Sequence, residues 1–267
     1  MKEQAEKLVS DFVGEILVGD WEQLKNFDFR TLQDSEKYGS PDRHFDCDDT
    51  SIMRAIYVVL WHDSFPYLNL SNFGSCKQYR GDTMNTFHTM FGREKEERRG
   101  FYDGLEKYNP SDELRQKARK FNRLCSNIGN YVVLPNFFAE QTSINCYRGT
   151  NDWRDFFDRF LQELYKVLTD SANQDETLKK LVKVNEFGFR NFQGKAGFKK
   201  FIKTLFLEDY CDASGVPQNV FAVNFHWKDI QNREQYLHDA ELYLTQTEKI
   251  ITNRADRIIS SLKNALS

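Results

Sequence analysis

Between residues 152 and 168, Phe156, Phe157, Phe160, Leu161, Leu164, Tyr165 and Leu168 recur at the three-to-four spacing of one broad helix face. A chain that repeats such faces buries them by packing helix on helix. The period recurs through most of the sequence. Residues 2–18 align Leu8, Phe12, Ile16 and Leu17. Asp48, Asp49, Thr50 and Ser51 supply capping chemistry ahead of Ile52, Met53, Ile56, Tyr57, Leu60 and Trp61, which predicts a helix over 48–62. Pro110 followed by Ser111, Asp112 and Glu113 starts another over 111–126. Further helices are expected at 175–187 and 195–209, and 229–264 reads as one long helix or two.

Strand signals are few. Tyr131, Val132, Val133 and Leu134 run into Pro135, and Val220, Phe221, Ala222 and Val223 follow the turn residues Gly215, Val216 and Pro217. The expected fold is therefore mainly α, a single helical domain over residues 1–267 with a minor, small β element. Its most charged stretch, 93–99, marks a hinge, and 93–110 is expected as a flexible loop. With 23 Phe, 12 Tyr and 4 Trp, a hydrophobic content of 40% is enough to fill a core, because each aromatic ring buries a large area.

The net charge of −3 supplies no global field toward nucleic acid or membranes. Two local stripes could do so: Arg115, Arg119, Lys120 and Arg123, and Lys195, Lys199, Lys200 and Lys203. Charged helix faces are most often only solvated, so nucleic acid is the less favoured partner. The five cysteines, 47, 76, 125, 146 and 211, are scattered and odd in number. That argues against a disulfide framework or a zinc cluster and for free thiols. The first residues lack the apolar block of a signal peptide, and the longest apolar run, Ala55–Trp61, is too short to span a bilayer. The expectation is a cytoplasmic protein with no membrane partner. The adhesion tripeptide Arg80-Gly81-Asp82 needs a secreted protein and is set aside on that ground.

Tyr79-Arg80-Gly81-Asp82-Thr83 is echoed by Tyr147-Arg148-Gly149-Thr150-Asn151. Each places an arginine, a glycine and a capping residue ahead of an expected helix. Glycine permits a turn and close backbone approach, helix N–H groups attract anions, and arginine offers a planar fork for phosphate or carboxylate. Two such corners would pinch a small anionic ligand. The competing reading is that Asp82, Thr150 or Asn151 only cap helices while each arginine pairs with a nearby carboxylate. Gly129 in Asn127-Ile128-Gly129-Asn130 suits a helix exit, and Asn130 becomes a ligand contact if that turn meets Arg80.

Asp82 and His88 are the candidate acid or base. Asp42, His44, Asp46 and Asp48 alternate along 42–48, but a calcium loop is excluded because its glycine and closing glutamate are missing. These acids read as loop solvation and a helix cap, and neither metal nor cofactor is expected. His62-Asp63 resembles the dipeptide of helical histidine-aspartate phosphohydrolases, but Pro66 breaks the helix that motif continues. Tyr79-Arg80-Gly81 and Glu94-Lys95-Glu96 resemble ADP-ribosyltransferase motifs but lie too close together for that β-rich fold.

The order of motifs Asp46–Asp49, Leu60-Trp61, Gly81-Asp82, Ile128–Pro135, Asn145–Gly149 and Asp158-Arg159-Phe160 resembles a family of uncharacterised bacterial proteins with no known activity. The resemblance spans most of 40–260. It implies that the two Arg-Gly corners and the Ile-Gly-Asn turn belong to one architecture. The first functional expectation is a site for a nucleotide-like anion formed by Arg80, Gly81, Asp82, Thr83, Asn130, Asn145, Arg148 and Gly149. The alternatives are a non-catalytic interaction module, of a defence or toxin-type context, and nucleic-acid binding through the basic helix faces.

Overall fold

The structure is a computed structural model that describes residues 1–32, 34–40, 46–74, 77–86, 88–92, 94–95, 98–151, 153–223 and 231–267, with the backbone alone at 88–89, 94–95 and 98–101. Along the chain run α1 (Lys2–Glu15), α2 (Ser51–Trp61), β1 (Tyr79–Thr83), α3 (His88–Phe91), β2 (Glu94–Lys95), β3 (Arg98–Tyr102), α4 (Asp103–Glu106) and α5 (Asp112–Cys125). There follow β4 (Tyr131–Pro135), α6 (Ile144–Thr150), α7 (Phe157–Leu168), α8 (Glu176–Val184), α9 (Glu186–Phe189), α10 (Gly194–Thr204) and α11 (Arg233–Leu266). The fold is mainly α, as the periodicity predicts.

Helix α2 is buried on nearly every side because its residues are apolar on nearly every side, and it packs against both α1 and α11. Thr50 caps it by accepting from the Met53 amide. Ser111 likewise caps α5 by accepting from Leu114. The C-terminal segment is one helix of 34 residues, about 50 Å long at 1.5 Å per residue. Its stripe of Tyr236, Ala240, Tyr243, Ile250, Ile251, Ala255, Ile258 and Leu262 packs on α5, α2 and the 3-10 turns at Trp21–Asn26 and Ile128–Asn130.

Among the described residues the strands form two antiparallel pairs, β1 with β4 and β2 with β3. In the first pair Arg80 faces Leu134, Gly81 faces Val133 and Asp82 faces Val132. Gly129 lies against α11 so closely that a Cβ would overlap the Ile251 carbonyl.

Three expectations need correction. Residues 79–83 are not a helix entrance; they are strand β1, because Gly81 lets the chain press against the Asp48 carbonyl, where any Cβ would collide. The second Arg-Gly pair closes α6 instead of opening the next helix, which starts at Phe157. Residues 220–223 form no strand. Their Val220 and Phe221 amides donate to the buried Asp158 carboxylate, at 2.9 and 3.4 Å, in place of a strand neighbour. Within 93–110, expected as a flexible loop, lie β2, β3 and α4. Cys47, Cys125, Cys146 and Cys211 are free thiols, and Cys76 lies outside the described residues.

Two glycine substitutions check this packing. Gly129→Ala should destabilise the protein by roughly 2–3 kcal/mol in a denaturant titration, since the helix backbone it meets has no side chain to move aside. Gly14→Ala, at a helical position with open space around it, should leave stability unchanged or raise it by up to about 1 kcal/mol.

Candidate functional site

The strand β1 lies beside the 3-10 turn Cys47–Asp49 and the end of α6, and this brings several of the expected site residues together. Arg80 and Asp82 lie two residues apart on the strand, so each has its own neighbour across the turn. Arg80 donates to Asp46. Asp82 accepts from Arg148 Nη1. The two N–H groups of Arg148 Nη2 are shared among the backbone carbonyls of Thr83, Met84 and Trp153 at 3.3, 2.9 and 3.1 Å, while its buried Nε has no hydrogen-bond partner. The guanidinium lies over the rings of Phe157 and Phe160, 4.8 and 5.2 Å from their centroids. Arg148 is 1% exposed, and burial lowers its pKa against the opposing pull of Asp82.

Asn130 is buried beside them. Its Oδ1 accepts from the Asn85 amide at 3.1 Å, while its Nδ2 donates to the carbonyls of Asn85 and Cys125 at 2.8 and 2.9 Å. The Asn130 carbonyl accepts from the Met84 amide at 2.8 Å. Asn145 is half-buried in the first turn of α6. Gly149 packs under Arg154, whose guanidinium a Cβ would strike. The His88 side chain, and Asp42 and His44 of the alternating stretch, lie outside the described residues. His62 sits beside Asp63 with Nδ1 and Oδ1 3.2 Å apart.

Three further residues complete the cluster. Asp49 pairs with Arg54 of α2, at 3.2 and 3.3 Å, and that guanidinium sits 5.5 Å from the centre of the Phe73 ring. Asp48 accepts from Thr83 Oγ1 at 3.4 Å, while its own carbonyl takes the Tyr57 hydroxyl at 2.8 Å. Its Oδ1 is buried with no hydrogen-bond partner. Burial first, then the charges of Asp82, Asp46 and Asp49, push the Asp48 carboxyl well above the ordinary range, which favours its neutral form.

The signals for Arg54 and Asp48 were faint. Arg54 is the one cation inside an otherwise apolar helix, and Asp48 is one of several acids that a loop could equally have left in water.

Three surface cavities lie outside the charged centre of this cluster, the first of them bordering it at Trp153. One of about 560 Å³ is bounded by Trp153, Arg159, Gln162 and Lys166 of the α7 side and by Gln174 and Asn219. A second, about 480 Å³, follows Gln116, Arg119, Lys120 and Arg123 on α5. A third, about 310 Å³, lies between Lys199 and Lys203 of α10 and the turn at Asp212. Two residues of the first basic stripe are paired, Arg115 with Glu106 at 3.1 Å and Lys120 with Glu248 at 2.6 Å, and Lys117 beside it pairs with Glu241. Among the described residues no helix is long and apolar enough to cross a membrane, and no group of three or more His, Cys, Asp or Glu could hold a metal ion.

Fold and cluster together define a mainly helical protein with an Asp–Arg network between its central strand pair and the flanking helices. The chain belongs to a family of unknown function, DUF6994, whose model matches residues 26–258. No match was found among curated proteins or among solved structures.

A pH titration probes the cluster. A carboxyl whose folded pKa is raised costs stability as pH climbs from its unfolded value, near 4, through the folded one. Asp48→Asn removes that cost. Its unfolding free energy, from denaturant titrations at each pH, should therefore match the parent at acidic pH and exceed it increasingly toward neutral pH, by about 1.4 kcal/mol for each unit by which the parent group is shifted.

Proposed function

We propose that the chain is a non-catalytic interaction module in which the Asp–Arg cluster is internal scaffold. One observation carries this reading: the Arg148 guanidinium, the more buried of the two expected ligand forks, is spent on Asp82 and three backbone carbonyls. A ligand would have to strip those bonds in a dry site, where removing one partner of a buried pair costs about 3–5 kcal/mol. Asn130 is equally committed to the backbone of Asn85 and Cys125.

A second reading, a small nucleotide-like anion held by Arg80, is favoured by a different observation. The Arg80 side chain is 25% exposed and its partner Asp46 is 51% exposed. Exposed pairs are worth about 0–1 kcal/mol, so a phosphate can displace the Asp46 carboxylate at little cost.

The two arginines separate these readings. Arg148→Lys keeps charge but loses the planar fork, and on the scaffold reading it should lower stability by about 3 kcal/mol in chemical denaturation. Arg80→Lys should change stability by less than about 1 kcal/mol. Calorimetry against phosphate, nucleotides and sugar phosphates then decides the second reading: it requires measurable heat that Arg80→Lys reduces about tenfold in affinity.

A further inference from the structure

The charge of this protein is unevenly distributed. Between residues 176 and 205, seven lysines and Arg190 stand against only Glu176 and Glu186, in a chain whose net charge is −3. All eight cations are exposed. Among the described residues only Lys180 of these has an ion pair, with Glu140 at 2.8 Å. The acids nearest α10 are already engaged. Asp212 accepts from the Ser214 and Val216 amides of its own turn, at 2.8 and 3.0 Å, and Glu208 lies 3.5 Å from Arg257. The α8–α10 segment therefore carries an excess of unpaired lysines, although Glu208 and Asp212 border the same cavity as Lys199 and Lys203.

Exposed rings adjoin the same segment. Phe137 and Phe138 are 39% and 45% exposed, and Tyr67 is 63% exposed. Phe137 is held in place from below. Asn185, at the junction of α8 and α9, accepts from the Phe137 amide at 2.7 Å and donates to its carbonyl at 2.9 Å. The Phe137 ring packs on Phe187 at 5.1 Å, and Phe187 packs on Tyr79 at 5.6 Å. The Tyr79 hydroxyl in turn donates to Pro66, next to Tyr67. Arg190 is close enough to lower the Tyr79 pKa against the larger, raising effect of burial. Exposed aromatic side chains, Phe137 among them anchored through its backbone to the α8–α9 junction, together with a lysine-rich segment match the chemistry of a nucleotide strand: π-faces for stacking and phosphates for charge.

We propose that this face binds single-stranded nucleic acid, with Tyr67, Phe137 and Phe138 stacking on bases and the lysines of α8 and α10 meeting phosphates. The inference rests on the reading of the chain as an interaction module and names its partner. Rings exposed one by one favour separate stacked bases over the continuous apolar groove that a peptide helix requires. The location of the lysines on two separate helices, α8 and α10, favours an extended polyanion over a single phosphate.

The test is fluorescence anisotropy with a labelled oligothymidylate of about 16 nucleotides, titrated at low and rising potassium chloride. Saturable binding that weakens with salt is expected. Lys199→Gln with Lys203→Gln should flatten the log–log salt slope by about 0.7 for each phosphate left without its lysine. Phe138→Ala should weaken binding about tenfold while leaving the melting temperature in place, because that ring is half-exposed. The proposal is overturned if the oligonucleotide does not bind at low salt, or if both variants bind as the parent does. It is also overturned if polyglutamate or phosphatidylserine vesicles bind while the oligonucleotide does not, an outcome that leaves the interaction-module reading standing. The stability of Arg148→Lys tests that scaffold independently of any partner.

Discussion

A buried guanidinium that hydrogen-bonds no carboxylate among the described residues holds the centre of this protein. Arg254 lies within the apolar stripe of α11 at 0% exposure. It donates through Nε to the Leu205 carbonyl at 2.9 Å and through Nη1 to the carbonyls of Gly129 and Tyr131 at 3.0 and 2.6 Å. Burial lowers its pKa to about 10, so the charge is retained at neutral pH. The bonds tie the end of α10 and the turn before β4 to the long helix. Gly129 makes the arrangement sterically possible, because only a residue without Cβ lets that turn lie against the Ile251 carbonyl. Strand β4 leaves this turn with its register set, and β1 is paired to it.

The Asp–Arg cluster follows from that placement. Once β1 is docked, Gly81 brings Asp48 close and Asp82 meets Arg148, which arrives from α6. Each charge costs several kcal/mol to desolvate, and only matched partners offset this. The cluster therefore specifies which loop lies beside which strand more than it adds stability. Asp158 acts in the same way farther along: its carboxylate collects the amides at 159, 220 and 221, satisfying a loop that has no strand partner.

The outer face obeys a different constraint. Helices α5 and α10 are both basic in sequence, yet α5 packs against α11, whose Glu241 and Glu248 pair with its Lys117 and Lys120. Among the described residues the lysines of α10 form no ion pair, although Glu208 and Asp212 border the same cavity as Lys199 and Lys203, so they remain available. The same residue type therefore contributes to an internal contact on one helix and to an open surface on the other.

How much of this was legible in the chain depends on the range of the interaction involved. Apolar spacing and caps are local, so Thr50 before α2, Ser111 before α5 and the stripe of α7 identified their helices, and Tyr131–Pro135 its strand. Motif order also suggested that Arg80, Gly81, Asp82, Asn130 and Arg148 belong together. What those residues do was decided by tertiary structure. An Arg-Gly pair ahead of a polar residue reads equally as a strand or as a helix entrance until β4 is present to pair with it. Val220–Val223 has strand composition, but an Asp158 carboxylate from 62 residues away along the chain takes its amide. Arg254 differs from any other helical arginine only by falling in line with Ile250, Ile251 and Ile258, and carbonyls from two distant segments supply its partners. Local propensity determined the elements; the burial of charge, which needs partners from across the chain, decided how they fit.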